Sequence, residues 1–260
     1  MANYHLAAST GSRSSGQSAG AKSDYICREK KYKNRDDELV HSESGNMPNW
    51  ATDSPREYWD TADTFERSNG RLYKEVEFSL MKEIPLDKQM NSVRLFVKDC
   101  TKGESLPYTL AIHKGKDENP HCHLMISERI NDGVHRSKEK YFKRYNGKKI
   151  EEGGAKKSEV LKPKEWLRTI REKWEHHCNN MLERAGLSER VSCKSLSEQG
   201  VEREPQIHLG PNVKAMQSKG IVTDRGDIAK GIQERNEQIG GLVSRVQAID
   251  EGMTRERVGW

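Results

Sequence analysis

Three of the nine histidines fall within eleven residues: His113, His121 and His123. Imidazole is the commonest metal ligand among side chains, and it is largely neutral at pH 7. Side chains alternate along a strand, so His121 and His123 share a face about 6.5–7 Å apart, with Cys122 and Leu124 turned toward a core. The polar stretch from His113 to Pro120, with Gly115 and Asn119-Pro120, reads as a hairpin loop. Such a hairpin returns His113 beside the pair from the neighbouring strand. Three imidazoles on a rigid sheet leave coordination positions open, as a catalytic metal site requires. Nitrogen ligands suit Mn, Co, Ni, Cu or Zn. The plainer reading is three satisfied or exposed histidines; the third His at a hairpin mate favours the metal.

Several elements must position this cluster. Tyr73 to Leu80 alternates, with Val76, Phe78 and Leu80 on one face and Glu75, Glu77 and Ser79 on the other, as in a half-buried strand. Glu75 and Glu77 on that polar face are candidates for acid–base work. Leu106–Ile112 and His121–Ser127 read as strands, and Tyr4–Ala8 as a short one. Helices are expected from Ser18 to Lys31, from a capping box at Ser54-Pro55-Arg56-Glu57, from Leu86 to Asp99, and from Pro163 to a stop at Gly186. The first of these carries Tyr25, with Tyr32 two turns on. Lys33 to Ala51 shows no period and reads as a long connection, and Gly200 to Pro211 as a compact loop or strand. From Asp224, Ile228, Ile232, Ile239, Leu242, Val246 and Ile249 suggest one or two amphipathic helices interrupted at Gly240-Gly241. The expected fold is α+β: a central antiparallel β-sheet carrying the three-His site, flanked by helices, with a helical C-terminal tail. The division is 1–211 for the active domain and 212–260 for a helical extension.

Charged residues make up 33% of the 260 and the apolar set 33%, which implies a well-solvated exterior around a modest core. No run approaches a membrane span and residues 1–21 lack a hydrophobic signal core, so a soluble cytoplasmic protein without membrane insertion is expected. Five scattered cysteines without a C-x-x-C pair fit neither a disulfide framework nor a zinc ribbon. The net charge of +5 is concentrated: from Val134 to Arg184 there are 15 Lys/Arg against 8 Asp/Glu. Within it, Lys138, Lys140, Lys143 and Arg144 interleave with Tyr141, Phe142 and Tyr145, which suits phosphate contacts and base stacking. A solvated basic loop is the plain alternative.

The chain resembles the MobA/MobL (MobQ-type) plasmid mobilization relaxases of the HUH endonuclease superfamily. The matching stretches are Tyr4-His5-Leu6, Gly16-Gln17-Ser18-Ala19 before Tyr25, Glu75-Val76-Glu77, Ala111-Ile112-His113, Asn119-Pro120-His121-Cys122-His123-Leu124-Met125, and Glu204-Pro205-Gln206-Ile207-His208-Leu209-Gly210. Two departures are Cys122 as a small hydrophobe between the histidines and Ser192-Cys193-Lys194-Ser195 in place of Asp-His-Arg-Ser. The resemblance implies that Tyr25, with Tyr32 as rival, attacks a DNA phosphodiester to give a 5′-phosphotyrosyl enzyme and a free 3′-OH. It also implies a divalent ion on His113, His121 and His123, foremost Mn2+ or Mg2+, with Zn2+, Co2+ and Ni2+ as further candidates. From their place in the loop before the histidines, Asp117 and Glu118 either orient an imidazole from behind or take no part. The implied role is site- and strand-specific nicking and rejoining of a plasmid transfer origin during conjugative mobilization. The partners are single-stranded or melted DNA, accessory mobilization proteins and the coupling protein of a secretion system. A rolling-circle replication initiator shares the chemistry, and a non-enzymatic basic nucleic-acid-binding protein is the rival from another class.

Overall fold

A computed structural model describes residues 4–34, 39–115 and 119–258. In chain order the first part contains β1 (Leu6–Ser12), α1 (Ala19–Ile26), β2 (Leu39–Gly45), α2 (Pro55–Phe65), β3 (Arg71–Ser79) and α3 (Leu86–Thr101). The rest contains β4 (Tyr108–His113), β5 (His121–Ile126), α4 (Lys138–Tyr141), α5 (Lys164–Arg184), α6 (Gly210–Gln217) and α7 (Asp224–Val258). The five strands form one sheet in the order β1-β3-β5-β4-β2, antiparallel throughout. This is the expected α+β arrangement, with the histidine strands at its centre.

The alternation in β3 decides what lies on each face. Val76 and Phe78 turn to one side, where Phe78, Phe96 of α3 and Trp174 of α5 pack ring against ring. Cys122, Leu124 and Ile126 of β5 join the same core. Two tryptophans there donate to backbone carbonyls, Trp166 to Cys100 at 2.9 Å and Trp174 to Ser79 at 3.1 Å. The opposite face carries a second core of Tyr58, Trp59, Ala111, Met125, Tyr141 and Phe142, under α1, α2 and α4. Both faces are thus covered, and all five cysteines are free thiols.

Four local expectations need correction. The connection Lys33–Ala51 contains β2, an edge strand of sequence LVHSESG with no clean alternation, held by its ladder to β4. The helix that carries Tyr25 ends at Ile26, five residues early, because Arg28 and Lys30 take left-handed φ of 54° and 48°. Ser54 makes no side-chain cap bond, and Glu57 pairs instead with Lys138. Gly240-Gly241 does not break α7, which runs through it. Of the two readings of Gly200 to Pro211, the loop is the one observed, up to Leu209.

The chain separates into two compact units, Met1–Cys193 and Lys194–Trp260. In the second, Glu204 pairs with Arg235 of α7 at 2.7 Å, and Asn236 bonds both the Glu204 N–H and its carbonyl. Among the described residues no helix is long and apolar enough to cross a membrane.

Candidate metal centre and nucleophile

Register brings the histidines together. His113, the last residue of β4, lies opposite His121, the first of β5, and Ala111 lies opposite His123. The three ring centroids form a nearly equilateral triangle of 5.0, 5.1 and 5.3 Å. Their ligand nitrogens lie within 4.8 Å of one another.

Hydrogen bonds fix the tautomers. His123 Nδ1 donates to Glu75 Oε1 at 3.0 Å, and His121 Nδ1 to the Asn119 carbonyl at 3.1 Å, so each carries its lone pair on Nε2. His113 is reversed: its Nε2 donates to the Ile26 carbonyl at 2.6 Å, while Nδ1 accepts from Arg28 Nη2 at 3.0 Å. Burial outweighs the bond to Ile26 and pushes the His113 imidazole down to about 4, so it is neutral at pH 7. Three imidazoles so oriented fit a divalent ion, for which Arg28 must yield the His113 lone pair.

Glu75 and Glu77 differ sharply. Glu75 is buried and accepts from His123, from Lys22 Nζ at 2.6 Å and from Ser9 Oγ at 3.2 Å. Burial works against its charge, yet the bonds from His123 and Lys22 prevail and hold the carboxyl at about 2. Glu77 sits directly across from His123 in the ladder, half-exposed, with Oε2 at 3.6 Å from Nδ1. Asp117 and Glu118 lie outside the described residues.

Tyr25 rides on α1, a two-turn helix too short to persist alone. Asp63 of α2 caps it, accepting from Ala19 N at 2.7 Å, Gly20 N at 2.9 Å and Ser18 Oγ at 2.6 Å. Near its other end Asp24 pairs with Arg56 of α2. Thus held, the Tyr25 ring meets His123 edge-on with centroids 6.1 Å apart. Tyr32, in a separate 3-10 turn, stands edge-on to Tyr25 at 5.4 Å and is the next ring out. Lys22 Nζ and the Arg28 guanidinium flank the Tyr25 ring at 5.0 and 4.9 Å from its centroid. Sequence reasoning missed both cations. The i, i+3 spacing of Lys22 and Tyr25 on a helix was the available signal for the first; no local signal marks Arg28.

The basic stretch is an ordered loop stapled from within. Buried Arg129 pairs with Glu66 and donates to the carbonyls of Tyr141, Phe142, Lys143 and Ala155. Tyr141 must be corrected as a stacking residue: its ring is 1% exposed, packed edge-on against Trp50 and Tyr58. Lys138 and Lys143 pair with Glu57 and Glu139, and Lys140 is half-buried. Lys143, Arg144 and Tyr145 line a cleft of about 580 Å³ with Arg67, Arg71 and Lys157. Arg71 opens β3 while Ser79, opposite His121, closes it. Eight residue steps thus separate the two ends of β3, about 26 Å.

The MobA/MobL family model matches residues 7–219. The chain is 56% identical over 256 residues to "Mobilization protein A" of Escherichia coli, covering 98% of this chain and 36% of that protein. It is 42% identical over 214 residues to a "43 kDa relaxation protein" of Salmonella typhimurium, covering 78% and 57%. The chain therefore spans between a third and three-fifths of the length of these two relatives. A solved structure titled "Molecular Basis of Vancomycin Resistance Transfer in Staphylococcus aureus" superposes with a TM-score of 0.56 at 29% identity, over 74% of this chain and 98% of that one. With the histidine triangle on the central strands and a family match across most of its length, the chain belongs to the MobA/MobL family.

Proposed function

We propose that the chain is a metal-dependent relaxase, which nicks one strand at a transfer origin through Tyr25 and rejoins it during conjugative mobilization. The activity is assigned to residues 1–211, over which the motifs occur, with 212–260 as a helical extension. The observation that supports it most is the Tyr25 ring beside His123, on the sheet face that also bears His113 and His121.

In this reading His113, His121 and His123 hold a divalent cation, Mn2+ or Mg2+ foremost, with Zn2+, Co2+ and Ni2+ as alternatives. When bound, the cation supplies Lewis-acid withdrawal of charge from the scissile phosphate. The phenolic oxygen of Tyr25 forms a bond to phosphorus while the bond to O3′ breaks, leaving a 5′-phosphotyrosyl enzyme and a free 3′-OH. The phenol proton leaves as that bond forms, since a phenol near pKa 10 is a poor nucleophile when neutral. Glu75, with three hydrogen-bond donors on it, orients His123. Glu77 is the carboxylate left to receive a proton. Lys143, Arg144 and Tyr145 bind the flanking DNA, with Lys138 and Lys140 adding to the field. The DNA is single-stranded or melted, and accessory mobilization proteins and a coupling protein are the expected partners. The protein acts in the bacterial cytoplasm before transfer.

Incubation with a supercoiled plasmid carrying the origin next to the chain's own gene tests this. The expected product is a nicked circle with protein on its 5′ end, and a nucleotide on the tryptic peptide Ser23–Arg28. Tyr25→Phe should abolish nicking and adduct together while DNA and Mn2+ binding persist. Unchanged nicking by Tyr25→Phe, or a product with a free 5′-phosphate, refutes the assignment.

A further inference from the structure

The family motifs leave two cations beside Tyr25 without a role, Lys22 and Arg28, and of these Lys22 also reaches Glu75. Lys22 projects from α1 one turn before Tyr25, and its ammonium lies 5.0 Å from the Tyr25 ring centroid and 2.6 Å from Glu75 Oε1. Its side chain is 20% exposed, open enough to meet an incoming phosphate and shielded enough for its charge to act at close range. Glu75 in turn holds His123, so Lys22 joins the nucleophile to the histidine cluster by two direct contacts.

We propose that Lys22 is a catalytic residue of the nicking reaction, stabilising the negative charge shared by the Tyr25 oxygen and the scissile phosphate. The proposal rests on the Tyr25 reading given above. As the Tyr25 oxygen donates its electron pair to phosphorus, the phenol proton passes to Glu77, the carboxylate assigned to it above, and from there to solvent. The P–O3′ bond breaks with its pair on O3′, which then takes a proton from water. Lys22 neither gives nor takes a proton in this step; its part is electrostatic, from its place over the Tyr25 ring. A fixed cation where charge develops acts on the transition state more than on bound DNA, so it raises the rate of cleavage and scarcely alters affinity. The competing account makes Lys22 a mere tether for Glu75. A glutamine amide can still donate to Glu75, whereas only arginine preserves the charge, so the two accounts separate.

The test is single-turnover cleavage of a single-stranded oligonucleotide spanning the chain's own origin, at saturating Mn2+ and protein. Lys22→Gln should lower the rate about 100-fold, with oligonucleotide and Mn2+ affinities held within about threefold, and Lys22→Arg should recover most of the rate. Rates equal to wild type for Lys22→Gln overturn the proposal. A fall in Mn2+ affinity matching the rate loss also overturns it, since Lys22 would then act only through Glu75 and His123. Equal losses in the glutamine and arginine variants do the same. A wild-type protein that cleaves without a covalent adduct overturns the Tyr25 reading and this proposal together, whereas an adduct formed at full speed by Lys22→Gln overturns this proposal alone.

Discussion

Arg129→Met removes the cation from an ion pair that is buried on both sides, at 4% exposure for Arg129 and 3% for Glu66. The guanidinium reaches Glu66 through two bonds, at 2.9 and 3.1 Å, and donates to four loop carbonyls between 2.6 and 3.2 Å. Methionine keeps most of the apolar stem, so the loss is one charge and its donors. Stranding one partner of a buried pair costs about 3–5 kcal/mol. Lys157 Nζ, 3.3 Å from Glu66, stays as a partial counter-ion and draws the value down, while the orphaned carbonyls draw it up. The expected loss is about 4 kcal/mol, or about 8–16 °C in Tm for a unit of this size. Urea and thermal melts of single and double variants measure it. Adding Glu66→Leu removes the stranded carboxylate and should restore at least half of the loss. A single-variant loss below about 1 kcal/mol, or a double variant no more stable than the single, would mean that the buried charge is not the source.

The remaining expectations concern metal, DNA and acid. His123→Ala should abolish tight Mn2+ binding in calorimetry, and Glu75→Gln should weaken it about 10–100-fold by releasing the His123 ring; unchanged affinity in both would remove the metal site. Changing Lys138, Lys140, Lys143 and Arg144 together to glutamine should flatten the salt dependence of single-strand binding, by about 0.7 in log–log slope for each phosphate that is no longer neutralised. Lys138 and Lys143 already face acids, so less than the full fourfold change is expected. Burial disfavours the Glu66 carboxylate, but Arg129 and Lys157 prevail and hold it below the usual range. Its stabilisation is therefore complete above about pH 4.5 and lost as pH falls through the lowered value. Glu66→Gln should make stability less steep below pH 4.5, and an unchanged acid slope would contradict that.

The histidine triangle was legible because it needs only alternation and one hairpin, both local patterns. The strands β3, β4 and β5 and the helices α3 and α5 declare themselves by apolar period, and each observed boundary falls within two residues of the expected one. β2 was hidden because an edge strand answers to its partner's backbone, and LVHSESG buries no regular stripe. The contacts that finish the site join residues far apart in sequence: Lys22 with Glu75, Arg28 with His113, Asp63 with the start of α1. No spacing rule reaches across 44 to 85 positions. Tyr141 misled for a related reason. A Lys-x-aromatic run looks the same whether its ring meets a base or, as here, the buried Tyr58.

The two halves of the site differ in stiffness. The histidines sit on β4 and β5, each bonded along both edges to a neighbouring strand, which makes them among the last segments to open in native-state hydrogen exchange. Tyr25 sits on two helical turns fastened to α2 by side chains alone, Asp63 at the start and the Asp24–Arg56 pair near the finish, and followed by two left-handed residues. Under the proposed roles, the ligand geometry is inherited from a backbone ladder and the reach of Tyr25 from side-chain contacts with a neighbouring helix. In that reading, α2 therefore seats the attacking group while the strand ladder seats the ligands, and the two meet where the Ile26 carbonyl accepts from His113.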